Sequence, residues 1–144
     1  MNIIHVNSLP LKDVIRDIAQ VFDIPYSENC GEYFLHLPAS VGEGTIRGIN
    51  FDGGLGLVQY DCVFNDDFEI HFVVNNIHPL KFLYTVEGYL LHRFENDENL
   101  HTIEQYQNAI VASSNFNVHV LFFKANQKIK VNSLEIEREK FQQK

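Results

Sequence analysis

GEGTIRGINFDGGLGLVQYDCVFNDDFEIHF, residues 42–72, decides the fold. Three runs rich in β-branched and aromatic residues are broken at Asp52-Gly53-Gly54 and at Asn65-Asp66-Asp67, turn sequences of the kind antiparallel hairpins use. The same pattern governs the chain after Gly31, where turn signals recur roughly every 8–12 residues, the spacing of a sandwich or barrel. About eight strands are predicted, near Tyr33–Leu37, Gly44–Phe51, Leu55–Phe64, Phe68–Val74, Leu80–Glu87, Tyr89–Phe94, Asn108–Ser113 and Val118–Lys124, with a ninth near Ile129–Ile136. Glu87-Gly88 interrupts what would otherwise be one long strand, as a bend or bulge does.

Upstream, Leu11, Val14, Ile15, Ile18, Ala19 and Phe22 recur at helical spacing, with Lys12, Asp13, Arg16, Asp17 and Gln20 opposite. The pattern predicts an amphipathic helix over residues 9–23, with Ser8 near its start, Pro10 in its first turn and Ile24-Pro25 ending it. Its apolar stripe is expected to pack on the outside of a barrel spanning residues 31–136. At the C-terminus Glu135, Glu137, Arg138, Glu139, Lys140 and Phe141 read as the opening turns of a second helix over residues 136–144.

With 144 residues, 45% of them apolar and 21% charged, the chain suits one domain around one core. Nineteen acidic against eleven basic side chains leave a net charge of −8, which a phosphate backbone would repel. Only Lys124, Lys128 and Lys130 come close together, on a solvated strand edge and turn, so direct nucleic-acid binding is not expected. Cys30 and Cys62 lack metal-binding spacing and fit a reducing compartment. The N-terminus MNIIHVNSLPLKD has no leader features, and no run approaches ~18 apolar residues. A cytoplasmic protein without membrane contact is expected.

Taken together with HPLKFLYTVEG (78–88), HRFEN (92–96), QYQNAIVASS (105–114) and SLEIEREKF (133–141), the quoted stretch resembles the N-terminal effector-sensing domain of AraC/XylS-type transcription regulators. The resemblance implies a mainly β fold, a cupin-like antiparallel jelly-roll barrel with an N-terminal amphipathic helix and a short C-terminal helix. It further implies that the barrel binds a small-molecule effector, that the domain forms a homodimer, and that the C-terminal helix leads toward a DNA-binding module. The basic segment with two helix-turn-helix units that would contact DNA is not in this sequence.

Gly42-Glu43-Gly44-Thr45-Ile46-Arg47-Gly48 has the wrong spacing for a dinucleotide fingerprint, and glycines bending a strand account for it. The seven histidines invite a metal, since many cupins hold one with an HxH pair, a Glu and a later His. Here Lys81 falls about where the Glu ligand would be, His78 has no His two residues away, and a cation beside Lys81 would be repelled. In the second metal-cupin motif the required positions fall near Gln107, Ser113, Asn115, Val118 and Phe122. His119 is one residue off, which in a strand is expected to turn it to the other face. No metal, cofactor or catalytic residue is predicted. Cys62 within YDCVF reads as a small buried residue, Ser113-Ser114 as turn hydroxyls, and the acidic clusters as solvated turns.

What remains is a cavity. A barrel of about eight strands can hold one small ligand if some inward side chains are short. Polar residues inside apolar strands then become the candidate ligand-binding set: Arg47, Tyr60, His71, Tyr84 and His92. Each has a plain structural alternative, with Arg47 and His71 on a solvent face and the tyrosines as core rings. The expected function is a small-molecule-sensing and dimerisation domain of a transcription regulator, not an enzyme. The alternatives are a stand-alone small cupin isomerase or dioxygenase, or a non-enzymatic ligand-binding barrel.

Overall fold

The computed structural model describes residues 2–7, 11–51, 53–73, 80–95, 97–111 and 118–137. Strands β1 (Asn2–Asn7), β6 (Phe68–Val73), β11 (His119–Phe123), β8 (Leu90–Phe94) and β9 (His101–Ile103) form one sheet in that order. The second sheet runs β10 (Asn108–Val111), β7 (Leu80–Glu87), β12 (Ile129–Ile136), β5 (Leu55–Phe64), β4 (Gly42–Phe51), β3 (Glu32–His36) and β2 (Ser27–Asn29). The fold is mainly β, a cupin-like jelly roll, as expected. The two sheets face one another without closing into a barrel, which corrects that expectation. All pairings among the described strands are antiparallel except β1 with β6.

Strict alternation builds the core. In β5, Gly56, Val58, Tyr60, Cys62 and Phe64 are buried while their neighbours are half-exposed, so one face of this central strand points inward. Phe64 stacks on Phe68 with ring centroids 4.4 Å apart, and Phe123 packs against both Tyr60 and Phe64. The predicted break at Glu87-Gly88 is real: β7 ends at Glu87, Gly88 has φ 78°, and β8 begins at Leu90 in the other sheet.

The single helix among the described residues, α1, spans Leu11–Phe22. The predicted roles of Ser8 and Pro10 lie outside the described residues. Its end is a Schellman motif: Ile24 N donates to Ala19 O at 3.0 Å and Asp23 N to Gln20 O at 3.1 Å, with Asp23 at φ 53° and Pro25 following. Val14, Ile15, Ile18 and Ala19 are buried in the same core cluster as Ile4, Leu35 and Ile46. The stripe therefore packs inside the sandwich, not outside a barrel. The seven-stranded sheet is wider than its partner, and the helix covers the inner face of β3 and β4 beyond the β1 edge.

Strands β1, β2 and β9 were not predicted. β1 pairs far along the chain, and β2 and β9, three residues each, are too short to show an alternation, although β2 turns into β3 at Cys30-Gly31 and β9 pairs with its neighbour β8. At the other end Ile136 closes β12 and is not helical, and the predicted helix from residue 138 on lies outside the described residues.

Candidate functional site

The same alternation carries polar groups into the interior. In LKFLYTV, Lys81 is in phase with buried Leu83 and Thr85, and in IKVNSLEI, Glu135 is in phase with buried Ile129, Val131 and Ser133. Lys81 and Glu135 are cross-strand partners on the inner face, with Lys81 Nζ 2.9 Å from Glu135 Oε1 and both side chains 2% exposed. Burial pushes the lysine down and the carboxyl up, and each partner's charge opposes that shift. The ammonium also lies 3.4 Å from the centroid of the Phe72 ring on the facing sheet.

Phe72 begins an aromatic wall across the five-stranded sheet. His119 stacks on it with centroids 4.7 Å apart and planes 8° from parallel. His92 follows at 5.4 Å from His119, and Phe94 meets His92 edge-on at 5.1 Å. Burial, then the nearby positive charge of Lys81 and then His101, pushes His92 down to about 4, so its imidazole is neutral at pH 7. His92 Nε2 and Glu135 Oε2 are buried atoms that lack a hydrogen-bond partner among the described residues.

A cleft of about 280 Å³ opens beside His92 and Phe94, where the edge strands of the two sheets meet. His92, Phe94, His101 and Ile103 line it from β8 and β9, and Ala109, Ile110 and Val111 from β10. Val111 pairs in register with Lys81, which pairs in turn with Glu135, so the cleft wall and the buried ion pair belong to one inner-face row. Thr85 Oγ1 donates to Ile103 O at 3.2 Å and ties the sheets together beside the cleft.

The five predicted residues separate. His92 lines the cleft, and Tyr60 also points inward, though as a core ring packed on Phe123. Burial pushes the Tyr60 hydroxyl well above its usual range, with the charge of Glu135 adding to this. The other three do not face the interior. Arg47 sits on the outer face of the seven-stranded sheet, 3.4 Å from Glu32 and hydrogen-bonded to Gln59. Tyr84 lies further along that face with Phe82, Ile110 and Leu134, lining an open groove of about 690 Å³. His71 is on the outer face of the other sheet, 2.8 Å from Glu69 Oε2, with its ring 4.9 Å from that of His5 and tilted 48° to it. Each shares a strand with inward neighbours but occupies the opposite parity.

The reasoning from sequence missed Lys81 and Glu135 as a pair, since Glu135 read as part of a charged helix start. It also placed His119 on the wrong face. That register was borrowed from a motif this chain does not share, whereas the phase with Leu121 and Phe123 puts His119 inside. Among the described residues no group of three or more His, Cys, Asp or Glu is arranged to hold a metal ion. No helix among them is long and apolar enough to cross a membrane.

A two-sheet sandwich whose edge strands leave a cleft of about 280 Å³ can admit a small molecule. The family model described as the regulatory protein PchR N-terminal domain matches residues 43–144, and the chain belongs to this family of AraC-type regulator N-terminal domains. It is thus a regulatory, ligand-sensing domain of a transcription regulator. Among curated proteins none matches the chain by sequence. Among solved structures it is similar to hydroxypropylphosphonic acid epoxidase from S. wedmorenis, at 12% identity and a TM-score of 0.51 over 78% of this chain and 59% of that one. The protein BH2720 from Bacillus halodurans is similar at 13% identity and a TM-score of 0.50, over 64% of this chain and 69% of that one. Both likenesses concern the fold. An HTH_3 family transcriptional regulator from Vibrio cholerae aligns at 14% identity and a TM-score of 0.46, over 64% of this chain and 49% of that one.

Proposed function

We propose that this chain is the effector-sensing and dimerisation domain of an AraC-type transcriptional regulator, and that the effector enters the cleft between β9 and β10. The observation that carries the reading is the cleft itself, lined by His92, whose buried Nε2 lacks a hydrogen-bond partner among the described residues, inside a domain of a regulatory family. In this reading the domain performs no chemistry. A ligand acts by binding one arrangement of the domain better than another. Glu135 lies at the end of β12, so a change in the ion-pair row is felt where the chain leaves the sheet. A net charge of −8 leaves phosphate contacts to a separate basic helix-turn-helix module. Self-association as a homodimer is supported by the exposed apolar groove on the outer face of β10, β7 and β12.

The reading is tested by a thermal-shift screen of small molecules, followed by methyl NMR of the bound state. Binding stabilises by mass action and should perturb Ile103, Val111 and His92 together. A stabilising ligand that moves only outer-face signals would overturn the cleft as the sensing site.

A further inference from the structure

We propose that the cleft selects an uncharged molecule of one or two aromatic rings carrying a hydroxyl or N–H group, with the rings between the sheet edges and the polar group on His92. This rests on the cleft being the effector site and adds the chemical class it takes. The walls are apolar: Phe94 and Ile103 stand on one side, Ala109, Ile110 and Val111 on the other. Among the described residues no carboxylate, ammonium or guanidinium lines the cleft, and its polar side chains are two imidazoles. The cation behind it, Lys81, already has its charge met by Glu135 at 2.9 Å. An anion or a cation entering this row would therefore leave one buried charge uncompensated. An uncharged ligand adds no such charge, and a hydroxyl both donates and accepts, which suits either tautomer of neutral His92.

Size and shape point the same way. At about 280 Å³ the cleft is at the small end of ligand pockets, which suits one or two rings. The wall formed by Phe72, His119, His92 and Phe94 presents ring faces and edges 4.7–5.4 Å apart, spacings that a further aromatic ring adopts readily.

Four probes of one shape separate the possibilities: benzyl alcohol, benzoate, benzylammonium and toluene, titrated at pH 7.5 into the 1–144 chain and into His92→Phe, with binding followed by methyl NMR. Benzyl alcohol is expected to bind at least tenfold more tightly than either ion and more tightly than toluene, perturbing Ile103 and Val111. In His92→Phe its advantage over toluene should vanish. Benzoate or benzylammonium binding at least as tightly at the same methyls would overturn the class while leaving the cleft as the site. If none of the four perturbs Ile103 or Val111 up to its solubility limit, the cleft reading falls and this inference with it.

Discussion

Lys81 and Glu135 face each other across β7 and β12 in the middle of the protein, 2.9 Å apart and almost wholly withdrawn from water. Replacing one member strands the other's charge in the core, so Lys81→Met or Glu135→Leu alone should each cost about 3–5 kcal/mol. The double variant should recover most of that loss, since two apolar side chains need no partner. Urea denaturation of the three variants checks this, and additive losses would show that the pair is not coupled.

His92 links stability to pH. Its folded value of about 4 lies below the usual ~6.5, so the unfolded chain binds the proton first and acid favours unfolding. Its contribution is complete above about pH 6.5 and is lost as pH falls toward 4. The shift corresponds to about 3 kcal/mol across that window. His92→Phe should flatten this part of the stability–pH curve. The His92 imidazole titrating near ~6.5 by NMR in the folded protein would contradict the argument.

Two glycines of β4 should respond differently to alanine. At Gly44 a Cβ would stand 2.3 Å from Asp61 O, and φ is +110°, so neither the partner backbone nor the residue can give way. Gly44→Ala should cost at least about 1–3 kcal/mol. At Gly48 the obstacle is Cγ1 of Ile15 at 2.9 Å, a helix side chain. The cost of Gly48→Ala should shrink in an Ile15→Ala background, where that Cγ1 is gone, while no change on α1 should rescue Gly44→Ala. Thermal melts of the paired variants decide it.

The two thiols should differ sharply in reactivity. Cys30 is exposed, whereas Cys62 is buried and pushed up to about 12, first by desolvation. Iodoacetamide at pH 8 should label Cys30 alone in the folded protein and both residues in denaturant. Mass spectrometry of the labelled peptides gives the answer.

Ile110 is 67% exposed on the outer groove, so Ile110→Lys should change stability by less than about 0.5 kcal/mol. The dimeric reading expects the same substitution to lower the association state. Sedimentation velocity of both proteins tests that, and an unchanged dimer would move the interface elsewhere.

Local sequence determined a good deal of this protein. Alternation and turn chemistry located nine of the strands, because a strand with one buried face writes its period directly into the residues. The 3.6-residue stripe Val14, Ile15, Ile18, Ala19 and Phe22 announced α1 in the same way. Local pattern does not say which sheet a strand joins, and so β1, parallel to the distant β6, and the three-residue β2 and β9 were not foreseen. Nor does it say what a polar residue meets. Parity would have placed Lys81, Glu135 and His119 inside and Arg47, His71 and Tyr84 outside, once strand phase was read against buried neighbours. Only the tertiary structure set Lys81 against Glu135, put Phe72 beneath the ammonium and opened a cleft beside His92. Those relations depend on pairings between strands some fifty residues apart and on the meeting of two sheets, distances over which sequence periodicity carries no signal.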